Sequence, residues 1–365
     1  MPDPPTVTIT ILAYRSKATI RQCLTSALGL EYAGPLEILI REQGGDDEEF
    51  RLLQEMIALV PWSPHRRVVA SRGENLGFAG GHNALIRESS AEFFVCLNAD
   101  AVLTPAFLGA ALEPFSDQNV GAVQGKLLRY DFEKNTPQEK VGKAVIDTTG
   151  LLMFKNRRIV NRGQGEPDTG QYDREEEVFG VDGAVPVYRK KALDDIAVPL
   201  RVFSRETSRS SAQNSTEVEF FDENFFLYKE DVDLAWRLRL GGWKTTYTPK
   251  AVAYHGRGSG DSMASTPWGM IRERRKINPR AKFYSFRNQR LMQLKNELPG
   301  IFVRHLPWFL PKEIAAWGYA LLYEGTVVPR AVRDWLSLVP KMMKKRRYIM
   351  SRRRASAKDL SRWFM

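Results

Sequence analysis

The chain has 365 residues, of which 43% are hydrophobic and 27% charged, and it carries a net charge of +11. Ten Lys or Arg residues and one Asp lie from residue 341 onward, so this tail carries +9 and the rest of the chain only +2. That distribution argues against a uniformly basic nucleic-acid-binding protein, although a tail that touches RNA or a membrane surface is not excluded. The composition is typical of one large globular domain or two.

Cysteine content and hydropathy indicate a cytoplasmic protein. The two cysteines, Cys23 and Cys96, lie in apolar contexts and form no disulfide framework, which favours a reducing compartment. The first residues lack the basic and apolar regions of a signal peptide. No stretch offers the ~20 uncharged apolar residues that a bilayer span requires.

Strands and helices alternate through the first third of the chain. Short β-branched or apolar runs predict strands over 7–12, 36–40, 67–70 and 93–97. Helical spacing of apolar residues predicts helices over 19–30, 47–59, 81–89 and 105–112. This alternation predicts βαβ units and a Rossmann-like, mostly parallel central sheet flanked by helices.

The rest of the chain is mixed and then helical. The patterns predict strands over 120–128, 179–188 and 245–253, and helices from Lys190, over 230–240, 280–296, 312–323 and 330–350. Residues 131–180 indicate short strands and loops. The polar segment 201–219 is predicted to be a mobile loop, either a lid or a plain insertion.

Asp100 follows a strand that is predicted to be buried on both faces. The run Phe93–Leu97 is apolar, and the carboxyl ends of such strands are where ligands bind in open α/β sheets. A hard divalent cation such as Mg²⁺ or Mn²⁺ prefers carboxylate and phosphate oxygens. His255 also follows a predicted strand, so it is either a second ligand or a hydrogen-bonded structural histidine.

A glycine-rich turn precedes this strand. It spans Asn75–Asn83, but its glycines do not form G-x-G-x-x-G, and it does not follow the first strand. This position disfavours a nicotinamide-dependent oxidoreductase. The glycines can still allow backbone to approach a ligand closely.

Three carboxylates open the predicted helix at residue 230. Glu230, Asp231 and Asp233 could simply complement the helix dipole. However, the apolar run Phe225–Tyr228 precedes them, and three neighbouring carboxylates raise one another's pKa, which suits a general base.

These motifs resemble family 2 glycosyltransferases of the GT-A fold, particularly the bacterial rhamnosyltransferase-like group. The likeness covers about residues 6–260. Its most specific phrase is F-F-L-Y-x-E-D-V-D-L-x-x-R-L-R-x-x-G-W over Phe225–Trp243, followed by E-N-L-G-F-A-G-G-x-N over Glu74–Asn83. Asn98-Ala99-Asp100 stands where the family has its D-x-D or N-P-D metal motif, and Glu42-Gln43 stands where it has Asp-Asn.

The resemblance implies a domain organisation and a set of site residues. It implies a GT-A catalytic domain over 1–265, with a nucleotide-sugar half over about 1–125 and an acceptor half over about 126–265, followed by a basic, aromatic-rich helical region over 266–365. The implied nucleotide-sugar residues are Ala13, Tyr14, Arg15, Glu42, Asn75, Gly77, Phe78, Gly81, Asn83, Asn98 and Asp100. The implied metal ligands are Asp100 and His255, and the implied acceptor-side residues are Asp182, Gly183 and Trp236. The implied base is Asp231, with Glu230 and Asp233 as fallback assignments.

The resemblance also implies an activity. The enzyme would be inverting and use Mg²⁺ or Mn²⁺ to move rhamnose or a similar sugar from a dTDP- or UDP-linked donor. The acceptor would be a saccharide or lipid-linked glycan in cell-surface polysaccharide synthesis. Arg15 and Glu42 replace a usual Asn and Asp, which leaves the base and sugar preference open. A catalytically degenerate module that binds glycans without transfer is the alternative, and Asn98 is its only support.

The C-terminal region alternates aromatic residues with basic clusters. Helices of this composition can lie on an anionic membrane surface, which would suit a lipid-linked acceptor. We therefore expect peripheral attachment to the cytoplasmic face of the membrane. Packing of this region on the catalytic domain, or a homo-oligomer contact, is the alternative, and no nucleic-acid partner is expected.

Overall fold

A computed structural model of the chain describes residues 3–200, 217–257 and 267–365. The segment 201–219 that was predicted to be a mobile loop lies outside these residues except for its last three.

Seventeen strands lie in the described part of the chain. They are β1 (Val7–Ala13), β2 (Leu36–Glu42), β3 (Arg66–Arg72), β4 (Phe93–Asn98), β5 (Ala101–Leu103), β6 (Val120–Asp131), β7 (Thr136–Pro137), β8 (Glu139–Lys140), β9 (Lys143–Ala144), β10 (Ile146–Thr148), β11 (Leu151–Met153), β12 (Ile159–Asn161), β13 (Glu176–Glu177), β14 (Val187–Arg189), β15 (Val198–Pro199), β16 (Val218–Glu219) and β17 (Lys244–His255).

Eleven α-helices are described. They are α1 (Ile20–Leu28), α2 (Asp47–Ala58), α3 (Gly77–Arg87), α4 (Phe107–Leu112), α5 (Lys190–Ile196), α6 (Glu230–Leu240), α7 (Pro267–Lys276), α8 (Pro279–Asn296), α9 (Pro299–Tyr323), α10 (Val328–Ser351) and α11 (Ala357–Ser361). A short 3₁₀ helix, Glu113–Ser116, follows α4. None of the described helices is both long and apolar enough to cross a bilayer.

The central sheet has the strand order β13-β17-β6-β14-β4-β1-β2-β3. Strands β4, β1, β2 and β3 run parallel, as do β6 and β17, whereas β14 is antiparallel to both of its neighbours. The apolar side chains of these strands are buried against α1 and α4 in the main core. The mostly parallel sheet predicted from the alternation is therefore confirmed.

Several predicted boundaries were wrong for identifiable reasons. Strand β14 covers only Val187–Arg189, because the preceding residues 179–186 belong to the loop that carries Asp182. Helix α9 begins at Pro299 rather than 312 and contains Pro307 and Pro311 in its interior. A proline removes one helical hydrogen bond, but it does not end a helix whose other residues stay packed.

The C-terminal region packs directly on the sheet domain. Leu291 of α8, Met342 of α10 and Phe364 share one core with Trp236 and Phe179. Trp236 lies edge-on to both Phe179 and Phe364, with ring centroids 6.5 and 5.9 Å away. Helices α8 to α11 are thus part of the folded unit, in agreement with the alternative that this region packs on the catalytic domain.

A buried ion-pair cluster lies between these two parts. Lys295 Nζ lies 2.5 Å from Asp222 Oδ2 and 2.9 Å from Asp233 Oδ2. Lys345 Nζ lies 2.6 Å from Asp222 Oδ1 and also pairs with Glu219. One of the ten tail cations is therefore neutralised inside the protein rather than exposed to a partner.

Candidate active site

A cavity of about 570 Å³ opens at the carboxyl ends of β1, β2 and β4. We call it the sheet-edge cavity. Among the residues predicted to bind a nucleotide sugar, it is lined by Tyr14, Arg15, Asn75, Gly77, Phe78, Asn98 and Asp100. Parallel strands bring residues from distant parts of the chain to one edge, so the site follows from the topology of the sheet.

The other predicted donor residues do not line the cavity. The Glu42 carboxylate is buried, accepts a hydrogen bond from Gly44 N at 2.6 Å and lies 3.2 Å from Arg72 Nε. The Asn83 amide is turned away and donates to Phe221 O at 2.8 Å. Ala13 is buried in β1. The structure corrects these assignments, since burial and existing hydrogen bonds leave these groups supporting the cavity from behind.

Gly81 and Gly77 lie where α3 contacts neighbouring segments too closely for a side chain to fit. A Cβ on Gly81 would lie 2.8 Å from the Leu12 methyl groups, so Gly81 packs α3 against β1 and does not line the cavity. Gly77 has φ of +69°, and a Cβ there would lie 2.3 Å from Phe226 O. Phe78 N donates to that same oxygen at 2.7 Å, so the start of α3 holds the loop at Phe226.

Sequence reasoning missed several residues that line the cavity. Gln43 lies beside the predicted Glu42 and donates from Nε2 to Gly77 O at 3.3 Å. The apolar run before α6 contributes Phe226, Leu227 and Tyr228. The C-terminal region contributes Asn278, Arg280 and Ala281. Gln43 and the residues 226–228 belong to the quoted motifs, whereas no local sequence signal marks the three residues from the C-terminal region.

Asp100 and His255 lie together where β4 and β17 end. His255 Nε2 is 3.3 Å from Asp100 Oδ1, and His255 Nδ1 is 2.8 Å from Asp147 Oδ2. Burial by itself lowers the pKa of His255, but Asp100 and Asp147 outweigh burial and raise the pKa to about 10. Asp147, which the sequence analysis did not identify, orients the ring from behind.

These residues fit a divalent cation. With a pKa of about 10, His255 carries a proton on both ring nitrogens at neutral pH, so its Nε2 N–H faces the Asp100 carboxylate. A divalent cation would displace the Nε2 proton, while Nδ1 would keep donating to Asp147, the second-shell pattern common at metal sites. The described residues contain no cluster of three or more His, Cys, Asp or Glu ligands. A cation between Asp100 and His255 would therefore need further oxygens from a bound molecule, as Mg²⁺ and Mn²⁺ often do at phosphate sites.

A chain of polar contacts connects this pair to the acidic helix. Arg257 Nε donates to Asp147 Oδ1 at 2.5 Å, and Arg257 Nη2 donates to Asp182 Oδ2 at 3.3 Å. The next residue, Gly183, donates its N–H to Asp231 Oδ2 at 3.2 Å. Asp182 and Gly183, which were predicted on the acceptor side, thus lie between the Asp100–His255 pair and Asp231.

The three carboxylates at the start of α6 have different environments. Burial raises the pKa of Asp231 to about 6, with Asp182 adding to the effect, and burial raises the pKa of Glu230 to about 8, with Asp231 adding. At neutral pH, Asp231 is then mostly ionised and Glu230 mostly protonated. Asp231 is partly exposed, whereas Glu230 is 5% exposed and its Oε2 has no hydrogen-bond partner among the described residues.

Asp233 and Trp236 do not belong to the site. The buried Asp233 carboxylate contacts Arg237 Nε and Lys295 Nζ, each at 2.9 Å, and accepts from Asn296 Nδ2 at 2.8 Å. Because Asp233 is fully buried and paired with two cations, an acceptor hydroxyl cannot reach it, so the structure gives Asp233 a structural role instead of the fallback role as base. Trp236 is 1% exposed in the core, so it is not an acceptor surface.

The loop before α6 has an unusual backbone. Phe226, Tyr228 and Lys229 have φ of +63°, +68° and +74°, a region that non-glycine residues seldom occupy. Asn288 of α8 stabilises this backbone, because its Nδ2 lies 2.9, 2.9 and 2.7 Å from the carbonyl oxygens of Phe225, Leu227 and Tyr228. Strained backbone held by surrounding structure is typical of functional sites.

Comparison with known proteins agrees with this geometry. The chain matches the family described as glycosyltransferase like family 2 over residues 4–276. It is 35% identical over 68 residues to N-acetylglucosaminyl-diphospho-decaprenol L-rhamnosyltransferase of Mycobacterium tuberculosis (strain CDC 1551 / Oshkosh). The aligned residues make up 19% of this chain and 22% of that protein. The chain spans less than two thirds of the length of the first curated relatives it matches.

Solved structures share the fold. The structure of S. aureus TarS 1–349 in complex with UDP-GlcNAc superposes with a TM-score of 0.52 at 13% identity, over 95% of this chain and 88% of that one. GalNAc-T7 with UDP, GalNAc and Mn²⁺ superposes with a TM-score of 0.51 at 13% identity, over 88% of this chain and 58% of that one. The fold is therefore the GT-A fold, and the chain belongs to glycosyltransferase family 2.

Proposed function

We propose that the protein is an inverting glycosyltransferase that uses a nucleoside-diphosphate sugar, with Asp231 as the general base. The observation that carries this proposal is the polar chain from Asp100 and His255 through Arg257 and Asp182 to Asp231. These contacts join the Asp100–His255 pair, of which Asp100 lines the sheet-edge cavity, to the Asp231 carboxylate at the start of α6. A diphosphate and an acceptor hydroxyl need such groups side by side.

The sheet-edge cavity provides contacts for the donor. Arg15 and Arg280 line it and can bind phosphate oxygens, while Tyr14, 39% exposed, offers a ring for the nucleobase. A divalent cation held by Asp100 and His255 would offset the charge that develops on the departing diphosphate. Rhamnose from a dTDP-linked donor, or a similar sugar from a UDP-linked one, is the donor we propose, since the named relatives and neighbours include a rhamnosyltransferase and UDP complexes.

Asp231 would act on the acceptor. The acceptor oxygen forms a bond to the anomeric carbon from the face opposite the diphosphate, and its proton passes to the Asp231 carboxylate. The bond between the anomeric carbon and the diphosphate oxygen breaks, and the nucleoside diphosphate keeps the electron pair. The result is inversion at that carbon.

We further propose that the acceptor is a saccharide carried on a lipid and that α9 lies on an anionic membrane surface. The exposed residues of α9 include Val303, Leu310, Ile314 and Leu321, and within this helix Arg304 is the single exposed charge. These four side chains recur at helical spacing along one face. An apolar face of this kind is typical of a helix that lies in a membrane interface, and a second copy of the chain is the alternative occupant.

Calorimetric titration of dTDP, UDP and GDP with and without Mn²⁺ tests the donor assignment. We expect one nucleotide to bind the wild type with Mn²⁺ and to lose most of that affinity in Asp100→Ala. Release of that nucleotide from its sugar conjugate, with an inverted product, completes the test. Binding without any turnover would favour the glycan-binding alternative, for which Asn98 in place of an acid is the supporting residue.

A further inference from the structure

A second cavity, of about 630 Å³, lies beside the loop that precedes α6. We call it the basic cavity. It is lined by five parts of the chain: the segment 156–159, Lys229, helix α7 and the facing sides of α8 and α9. Neither the proposed donor site nor the proposed base uses it.

The two cavities are neighbours through shared elements. Phe226, Leu227 and Tyr228 line the sheet-edge cavity, and the next residue, Lys229, lines the basic cavity. Helix α8 contributes Ala281 to the first cavity and Ser285 to the second, a separation of about one helical turn. Asp231 follows Lys229 by two residues and is not itself part of the lining of either cavity.

The basic cavity has an excess of positive charge. Six cations line it: Arg157, Arg158, Lys229, Arg274, Arg290 and Lys312. Three carboxylates pair with this set, namely Glu297 with Arg157, Glu324 with Arg274, and Glu313 with both Arg290 and Lys312. Without Arg158, which has further contacts, five cations still face only three carboxylates, so the excess of positive charge does not depend on Arg158.

Lys229 and Lys312 are the cations best placed for a ligand. In the described structure, the Lys229 amine has neither a hydrogen bond nor an ion pair, and Lys312 shares Glu313 with Arg290 at 3.3 Å. Burial lowers the pKa of both amines, which indicates incomplete compensation of their charge. Cations arranged in this way are stabilised by a bound anion.

Apolar side chains line much of the remaining wall, together with polar ones. The apolar residues are Ile159, Ile271, Phe286, Ala315 and Ala316, and the polar ones are Asn156, Ser285, Gln289, Glu313 and Tyr319. Ala315 and Ala316 belong to α9, which connects the cavity to the helix that presents the exposed apolar face. A ligand that fits would combine a compact anion with an adjoining hydrocarbon part.

We propose that the basic cavity binds the phosphate-bearing, apolar part of the acceptor, with Lys229 and Lys312 contacting the anion. This inference rests on the proposed function, because it takes Asp231 as the base that receives the acceptor's proton. The shared chemistry is a phosphate or diphosphate next to a hydrocarbon chain. Binding there holds the acceptor while its hydroxyl reaches Asp231.

Three probes separate the parts of this chemistry. Titrations in the presence of EDTA would use farnesyl diphosphate, inorganic pyrophosphate and farnesol against the wild type, Lys229→Gln, Lys312→Gln, and the exposed control Lys250→Gln. We expect farnesyl diphosphate to bind more tightly than either of the other probes. Its affinity should fall about tenfold in each cavity variant and stay unchanged in the control.

The opposite results would overturn the proposal. Equal binding in Lys312→Gln and in the wild type would exclude the anion from the basic cavity, and binding that disappears only in Asp100→Ala would place it in the sheet-edge cavity. Tighter binding of pyrophosphate than of farnesyl diphosphate would exclude the hydrocarbon part. Nucleotide binding with Mn²⁺ reports on the donor assignment separately, so failure of the proposed function and failure of this site give different patterns.

Discussion

Asn288 donates a hydrogen bond from its side-chain amide to the carbonyl oxygen of Tyr228 at 2.7 Å, two residues before Glu230. The donor belongs to α8 in the C-terminal region, and the acceptor belongs to the strained loop between the two cavities. A helix outside the motifs that resemble the family therefore sets the backbone on which the candidate base stands.

The first prediction concerns this contact. Asn288→Leu should leave the Leu227 and Tyr228 carbonyls without their amide donor, whereas the Phe225 carbonyl keeps Arg287 Nη2 at 3.1 Å. The cost is roughly 1–3 kcal/mol for each buried group that stays unpaired. We expect kcat to fall while the Kd for the donor nucleotide changes little, because the base moves more than the phosphate contacts do. The exposed Asn119→Leu serves as a control, and an unchanged kcat in Asn288→Leu would refute the positioning role.

The pH dependence tests the base. A base must be ionised to accept a proton, and burial and Asp182 raise the pKa of Asp231 to about 6. The ratio kcat/KM should therefore rise as pH increases through about 6 and level off above it. Asp231→Asn should lower kcat by about 10²–10⁴-fold and remove this limb of the profile. Full activity in that variant would show that another group takes the proton.

Asp147 offers a test of the cation site that does not require turnover. Burial by itself raises the pKa of Asp147, but His255 and Arg257 outweigh burial and hold the pKa well below its usual range, so the carboxylate stays ionised. Asp147→Asn should weaken Mn²⁺ binding about 10–100-fold by releasing the orientation of His255. Titration of Mn²⁺ measures this directly, with Asp131→Asn as an exterior control. Unaltered Mn²⁺ affinity would remove Asp147 from the site.

The apolar face of α9 predicts membrane attachment. The double variant Leu310→Glu and Ile314→Glu should lose co-flotation with phosphatidylglycerol vesicles and keep its nucleotide affinity, since both side chains are exposed and distant from the sheet-edge cavity lining. Leu59→Glu, at an exposed site near α2, controls for added charge. If the wild type fails to float and instead sediments as a dimer that this variant dissociates, the face is a contact between copies.

The buried cluster around Asp222 should be a large contributor to stability. Lys295→Met leaves Asp222 and Asp233 without their shared cation, and breaking a buried pair in this way typically costs about 3–5 kcal/mol. Urea denaturation of the variant measures the loss. The matched change at an exposed pair, Lys250→Met, should cost at most about 1 kcal/mol. Similar losses in both variants would mean that the cluster contributes no more than a surface pair.

The sheet and much of its edge were predictable because their signals are local. Apolar runs identified β1, β2 and β4, and parallel pairing places the residues that follow each strand at one edge. The motif from Phe225 to Trp243 correctly indicated the helix with the carboxylates. The resemblance put Asp231 first as the base and kept Asp233 as a fallback. The contacts that separate the two in the structure, Gly183 with Asp231 and Lys295 with Asp233, join residues 48 and 62 positions apart.

The contributions of the C-terminal region were not predictable from the sequence. Lys295, Lys345 and Asn288 have no neighbouring pattern that reveals a buried partner, and the basic, aromatic composition favoured a membrane surface over packing on the catalytic domain. Asp147 was hidden for a similar reason, since it lies in a region of short strands, 108 residues from His255. Polar groups that are satisfied only by long-range contacts leave little trace in local periodicity.

Because α8 lines both cavities, a change in this helix affects the two sites together. The segment that matches the family ends at residue 276, yet Arg280 lines one cavity and Ser285, Phe286 and Gln289 line the other. Recombination at that boundary would not exchange an accessory part but would replace one wall of each site at once. Substitutions along α8 are therefore expected to alter both cavities together, whereas substitutions on α9 are expected to alter the basic cavity alone.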